Sequence, residues 1–210
     1  MPTRGLFITL DGTEATGKTT QIQKLQAWCA EHHQPVYLTR EPGGTEVGER
    51  IRELFLHQSA LHAETELLLM LAARVEHVRQ VILPKLEAGI WVISDRYHDA
   101  TYAYQGYGRG LDLGIIHQWE QWLQLPSPDL ALILMSDEAI SRARLEKRSL
   151  QQAKDRIEQE SANFHARVRE GYLARSQQER HVLINANLPP DAVFHQILNT
   201  LQPLLRQSAL

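Results

Sequence analysis

Five short runs along the chain are apolar without alternating: residues 6–10, 36–39, 91–94, 130–135 and 182–185. Strands that do not alternate have apolar surroundings on both sides, as in a parallel sheet covered by helices. Between these runs the apolar period changes to three and four. The clearest case is residues 64–86, where Leu67, Leu71, Val75, Val78, Ile82 and Leu86 share one helical face. Helical patterns also cover residues 20–32, 45–57, 113–123, 137–148 and 161–180. A last one follows Pro189-Pro190-Asp191, with Phe194, Ile197, Leu198, Leu201 and Leu205 on its stripe. Strands alternating with helices predict βαβ units, hence an α/β domain built on a doubly wound five-stranded parallel sheet with helices on both faces. No repeat or low-complexity linker divides the chain, so residues 1–210 read as a single domain.

One stretch departs from this pattern. Residues 142–160 (RARLEKRSLQQAKDRIEQE) are densely charged and poor in apolar side chains. Two readings stay open: a solvated helix face laced with i,i+4 pairs, or a short mobile lid that carries arginines.

Composition narrows the function classes. Hydrophobic residues make up 43 % and charged residues 22 % of the 210, the ordinary balance of a folded globular protein. A net charge of −3 and a pI near 6.4 argue against a broad basic face for a nucleic acid polymer or an anionic membrane. The single cysteine, Cys29, permits neither an internal disulfide nor a multi-cysteine zinc site, which suits a reducing compartment. The ten histidines are scattered without metal-ligand spacing. The opening MPTRGLFITLDG lacks an apolar signal core, and the longest apolar run, residues 67–73, stops at Arg74 far short of the ~20 residues of a membrane helix. The expectation is a cytoplasmic protein without a membrane partner.

The most informative segment directly follows the first predicted strand. Gly12-Thr13-Glu14-Ala15-Thr16-Gly17-Lys18-Thr19 matches G-x-x-x-x-G-K-[ST] between a strand and a helix. Gly12 and Gly17 permit backbone turns that let successive N–H groups converge on one anion, and the following helix adds the positive end of its dipole. Lys18 is expected on the β- and γ-phosphates of a nucleoside triphosphate and Thr19 on Mg²⁺. Neither D-x-x-G nor N-K-x-D, the companion motifs of GTP switches, occurs in the chain. The strand at residues 91–94 instead runs into Asp95-Arg96-Tyr97. That places a cation beside the same phosphates, as transfer between two mutually repelling phosphates requires.

With these residues assembled, the sequence resembles the bacterial thymidylate kinases, P-loop kinases that use ATP to phosphorylate dTMP to dTDP. The likeness runs over nearly the whole chain in separate blocks: FITLDGTEATGKTT, Thr39-Arg40-Glu41-Pro42-Gly43-Gly44-Thr45, Ala72-Ala73-Arg74 and Asp95-Arg96-Tyr97. Tyr104-Gln105-Gly106, Gly108-Arg109-Gly110, Pro128-Asp129-Leu130 and Asp155-Arg156-Ile157-Glu158 continue it. The resemblance implies that residues 12–20, Gly12 through Thr20 with Thr13, Ala15 and Thr16 among them, surround ATP. Glu14 would contact the acceptor's 3′-hydroxyl near Mg²⁺, Arg40 would grip the dTMP phosphate, and Arg74 would hydrogen-bond thymine. Arg96 would bridge donor and acceptor phosphates, and Asp95 would act on Mg²⁺ or its waters. Thr101 and Gln105 would line the base pocket, and Tyr104 would crowd the 2′ position.

The resemblance also implies a lid near residues 144–156 that closes over ATP. None of Thr13, Glu14, Ala15 and Thr16 is basic, so a lid arginine, Arg148 or Arg144, would supply the missing charge. Arg156 is either a closing cation or an ion-paired anchor, and the Glu41–Pro42 bond either cis or trans. The family is generally homodimeric, and the stripe along residues 67–86 is one candidate for a shared face. Two departures stand out: Met70 occupies the place of a phenylalanine that stacks on thymine, and the lid is a few residues longer. Another nucleoside monophosphate or a deoxynucleoside remains the alternative acceptor, and a P-loop switch the remote one.

Overall fold

The computed structural model describes residues 4–58, 60–149 and 155–208, with residues 148–149 and 206–208 given by backbone alone. Strands β1 (Phe7–Gly12), β2 (Val36–Arg40), β3 (Trp91–Asp95), β4 (Leu130–Met135) and β5 (His181–Asn185) form one sheet in the order β2-β3-β1-β4-β5. Every neighbouring pair is parallel. Each expected strand is present with ends within two residues.

Both faces of the sheet are covered, and side-chain alternation divides them. Ile8, Leu10, Ile93, Leu132 and Leu134 pack with Ile22 and Leu25 of α1 (Lys18–Glu31) and with Val193, Ile197 and Leu201 of α9 (Pro190–Ser208). Cys29 joins the same cluster, fully buried. On the opposite face Phe7 and Val92 meet Val78, Ile82, Leu86 and Tyr97. There Ile133 and Met135 meet Met70, Tyr104, Phe164, Val168 and Tyr172.

The long helical pattern is realised in three pieces: α3 (Ala63–His77), a π-helical turn at Val78–Ile82, and α4 (Leu83–Glu87). Pro84 accounts for the change of winding, since it has no N–H to give and its ring crowds the carbonyl one turn back. Within the stripe Leu67, Leu71, Val78, Ile82 and Leu86 are at most 6 % exposed, and Val75 is half-buried. The stripe is core, and therefore not the shared face between subunits; Leu68 is the exposed large apolar residue of α3, at 52 %.

Other helices are set by their caps. Thr45 accepts Gly48 N–H to start α2 (Glu46–His57), Asp112 accepts Gly114 and Ile115 N–H to start α6 (Leu113–Trp122), and Ser161 starts α8 (Ala162–Arg175). The pattern that predicts helix to residue 180 stops at Arg175, because the chain turns through Arg180 at positive φ to enter β5. One helical region has no counterpart in the sequence pattern: α5 (His98–Thr101) and the π-helical turns Tyr102–Gly108. Tyr102, Ala103, Tyr104 and Gln105 are all buried, so the segment shows no polar face and no stripe. The charged stretch begins in α7 (Glu138–Ser149), and residues 150–154 lie outside the described residues.

Candidate active site

Register brings the chemistry to one edge. Arg40 pairs with Asp95 across β2 and β3, Asp95 with Leu10 across β3 and β1, and Gly12 with Leu134 across β1 and β4. The carboxyl ends of these strands open into a cleft of about 460 Å³, where open α/β sheets place their ligands. Gly12 must be glycine: its φ is 135°, and a Cβ there would lie 2.1 Å from the Leu134 carbonyl oxygen. Gly17, at φ 89°, opens α1 with no side-chain cap, and no acidic residue stands in the first turn. The N–H groups of that turn are therefore left to a ligand, in the polarity an anion needs.

Lys18 lies over the loop it follows, donating to the carbonyls of Gly12 (3.3 Å) and Thr13 (3.0 Å). Burial, reinforced by Arg96, lowers its pKa, while Asp95, Glu14 and Asp11 oppose the drop. A buried cation destabilised in this way is one that an incoming phosphate relieves. Arg96 donates to Glu14 Oε1 at 2.7 Å and to the hydroxyls of Tyr104 (3.1 Å) and Tyr172 (2.7 Å). Tyr104 donates to the same Glu14 oxygen at 2.7 Å and stacks under the Arg96 guanidinium. Burial disfavours the Arg96 charge, but Tyr104, Tyr172, Glu14 and Asp95 outweigh it and hold its pKa well above the ordinary value.

Glu14, Ala15, Thr16, Gly17, Lys18, Thr19, Asp95 and Arg96 line the cleft, whereas Gly12, Thr13 and Thr20 are not among its lining residues. Asp95 Oδ1 is buried without a hydrogen-bond partner. With the Thr19 hydroxyl on the same cleft wall, that orphaned oxygen fits a Mg²⁺ held mainly by phosphates and water. Among the described residues no cluster of three or more His, Cys, Asp or Glu could hold a metal without such a substrate.

A second arm of the cleft carries further cations. Arg40, 55 % exposed, donates to Glu49 at 2.9 Å, an ion pair worth at most ~1 kcal/mol and easily exchanged for a ligand phosphate. Arg52 lies beside it, donating to the Pro42 carbonyl across the cis Glu41–Pro42 bond. Arg52 was not legible as a site residue, although Gly48, Arg52 and Phe55 share one face of α2 by spacing.

Arg74 is 2 % exposed, bound to Glu41 at 2.6 Å and to the Tyr97 carbonyl at 2.9 Å. Its Nη1 is buried with no hydrogen-bond partner and lies 3.6 Å from Glu120 Oε1, itself unpartnered. Glu41 also accepts from His77, whose other nitrogen meets Thr39, so three elements aim this arginine. Met70, Thr101, Tyr104 and Gln105 complete the wall between Arg74 and Arg96.

Behind Arg74, burial pushes the Glu120 carboxyl up to about 7, against the pull of Arg74, the Tyr102 hydroxyl and Arg175. A carboxyl that holds its proton more tightly when folded stabilises the fold fully below its unfolded pKa of ~4.5, and that stabilisation fades as pH rises through 7. Glu120→Gln is expected to flatten this component of the stability profile in urea titrations between about pH 5 and 8. An unchanged slope would sink the assignment.

Of the arginines expected in a lid, Arg144 lines the cleft and donates to the Ala186 carbonyl at 3.0 Å. The Arg148 side chain lies outside the described residues. Arg156 is an anchor here: it donates to Glu66 Oε1 at 2.5 Å and to the Phe55 carbonyl at 3.0 Å. Glu66, fully buried, also takes Arg109 in a bidentate pair at 2.9 and 3.0 Å.

A five-stranded P-loop sheet whose cleft joins a phosphate loop to a second group of arginines defines a P-loop phosphotransferase acting on an anionic acceptor. The comparisons with known proteins sharpen this. The thymidylate kinase family pattern matches residues 10–197, and the chain belongs to that family. It is 53 % identical over 205 residues to a thymidylate kinase of Dichelobacter nodosus, covering 96 % of this chain and all of the relative. It is 42 % identical over 203 residues to one from Carboxydothermus hydrogenoformans, covering 96 % and 98 %. A crystal structure of thymidylate kinase from Ehrlichia chaffeensis superposes with a TM-score of 0.77 at 31 % identity, covering 95 % of this chain and 99 % of that one.

Proposed function

We propose that this chain transfers the γ-phosphoryl group of ATP to dTMP, yielding dTDP and ADP for dTTP synthesis. The observation that carries the reading is one continuous cleft holding Lys18 and Arg96 at the phosphate loop and Arg40, Arg52 and Arg74 along its other arm. A switch protein or a simple hydrolase has no use for the second set. In the transfer an oxygen of the dTMP phosphate forms a bond to the γ-phosphorus as the bond to the β,γ-bridging oxygen breaks, and ADP leaves with that electron pair. No covalent enzyme intermediate is required; positioning and charge supply the rate.

Each side chain then has a task. Loop N–H groups and Lys18 hold the ATP phosphates, and Thr19 and Asp95 would hold Mg²⁺, which would supply charge neutralisation of the phosphates. Arg40 and Arg52 hold the acceptor phosphate. Arg74, held against the cleft wall by Glu41 and the Tyr97 carbonyl, meets the base, and Met70 packs on the ring face in a softer contact than an aromatic would make. Tyr104 stands at the sugar, and Glu14, released by Arg96 when phosphates arrive, accepts from the 3′-hydroxyl. Arg144 and Arg148 belong to a lid over ATP that excludes water. The reading extends to a cytoplasmic homodimer. Exposed Leu54 and Leu68 on the packed helices α2 and α3 support the dimer, and among the described residues no helix is long and apolar enough to cross a membrane.

The discriminating experiment is a screen of acceptors in an ADP-release assay: dTMP, dUMP, dCMP and thymidine. The expected result is the highest kcat/KM with dTMP, measurable turnover with dUMP, and none with thymidine, which lacks the phosphate that Arg40 holds. Turnover on thymidine matching that on dTMP would overturn the reading.

A further inference from the structure

Arg96 sits at φ 70°, in the left-handed region that favours glycine. A side chain held there costs ~1–3 kcal/mol and persists only where the surroundings over-determine it. Three hydrogen bonds do so: Arg96 N–H to the Leu10 carbonyl (2.9 Å), the Ser94 hydroxyl to the Arg96 carbonyl (2.7 Å), and Tyr97 N–H to Asp11 Oδ2 (3.1 Å). The last of these brings in a carboxylate that also reaches the side chain. Tyr172 of α8 donates its hydroxyl to Asp11 Oδ1 at 3.3 Å and accepts Arg96 Nη1–H at 2.7 Å.

The direction of this chain is set when the Asp11 carboxyl is ionised. A phenol has one O–H to give, so with the Asp11 carboxylate as acceptor its hydrogen points there and a lone pair faces the guanidinium. Burial pushes the Tyr172 pKa well above the ordinary value, which keeps that hydrogen in place. Burial, then Asp99 and Asp95, push the Asp11 carboxyl up to about 7, with Arg96 and Lys18 pulling it back. Both residues are fully buried, and neither lines the cleft. The close approach of α8 that puts Tyr172 here depends on its neighbour: a Cβ on Gly171 would lie 2.8 Å from Ala103 Cα and 3.0 Å from the Tyr107 ring.

We propose that Asp11 is a positioning residue for phosphoryl transfer, fixing Arg96 twice: its backbone through Tyr97 N–H and its guanidinium through the Tyr172 hydroxyl. This rests on the assignment of Arg96 to the transferring phosphoryl. Asp11 and Tyr172 touch no substrate; they hold the guanidinium in place, and a misplacement of about 1 Å in such a group costs on the order of 100-fold in rate.

Two variants test it in steady-state kinetics. Tyr172→Phe removes one oxygen from a packed ring, and Asp11→Asn turns one of two acceptors into a donor, so that Tyr97 N–H and Tyr172 O–H can no longer both be received. Each is expected to lower kcat by roughly 10- to 100-fold, leaving the KM values for ATP and dTMP within about twofold. Because the two act in series, the double variant should lose little more than the worse single one. A general loosening of the loop would raise KM for ATP as well, and that pattern overturns the proposal. So does a Tyr172→Phe enzyme with kcat within about twofold of the parent while Arg96→Ala is inactive; in that case the role of Arg96 stands and only the positioning chain falls. An active Arg96→Ala enzyme would instead remove the underlying assignment. Should Asp11→Asn fail to fold, Tyr172→Phe decides alone.

Discussion

Arg96→Ala is expected to lower turnover on dTMP by roughly 10³-fold or more, the scale on which a transition-state arginine acts in phosphoryl transfer. ATP affinity should change little, because Lys18 and the loop N–H groups remain. Isothermal titration with a non-hydrolysable ATP analogue beside an ADP-release assay separates the two quantities. Arg96→Lys should rescue poorly. The guanidinium meets Glu14, Tyr104, Tyr172 and the Gly12 carbonyl through two nitrogens at once, a fork that a single ammonium does not reproduce. Near-normal dTMP-dependent turnover in Arg96→Ala would leave Lys18 and the proposed lid arginines as the whole of the electrostatic machinery.

The largest effect on stability is expected at Glu66. Its carboxylate is fully buried and receives Arg109 through two nitrogens and Arg156 through a third. Glu66→Ala would leave two arginines, 18 % and 13 % exposed, with no buried counter-charge between them. Removing one partner of such a network costs about 3 kcal/mol, or ~6–12 °C in melting temperature for a chain of this size. Arg109 keeps Glu160 at 2.6 Å, which limits the loss. A urea midpoint within experimental scatter of the parent would show the network to be energetically idle. A second consequence is kinetic: Arg156 ties the segment after residues 150–154 to α3, so a freed Arg156 should also lower kcat if that segment carries the lid.

How much of this was legible in the sequence depends on the range of the interaction. The five strands and the phosphate loop are local patterns, a non-alternating apolar run and a spacing of glycines, and they stand within two residues of expectation. Arg74 was legible for a related reason: a charge beside an apolar stripe has to be paired. Its partners were not. Glu41 reaches it from 33 residues away and Glu120 from the far helix α6, and nothing local in either marks a carboxylate as buried. The α5 and π-helical segment failed in the opposite way, being buried all round and leaving no period to read. Asp11 and Tyr172 were hidden by their own ordinariness. One is the polar end of a strand and the other an aromatic in a helix, and only the fold joins them across 161 residues.

The pairing of Glu14 with Arg96 in the open cleft has one more consequence. Glu14 is a tethered anion, present beside Arg96 at an effective concentration of at least about millimolar, so any free anion must outcompete it for the guanidinium. Inorganic phosphate or a lone acceptor offers one charged group and meets that competitor at a disadvantage. On the proposed roles, ATP and dTMP together would bring several phosphate oxygens to Arg96, and dTMP would also offer Glu14 a new hydrogen-bond donor in exchange. On that reading the resting ion pair would work as a filter that a single ligand passes poorly and the two nucleotides pass jointly.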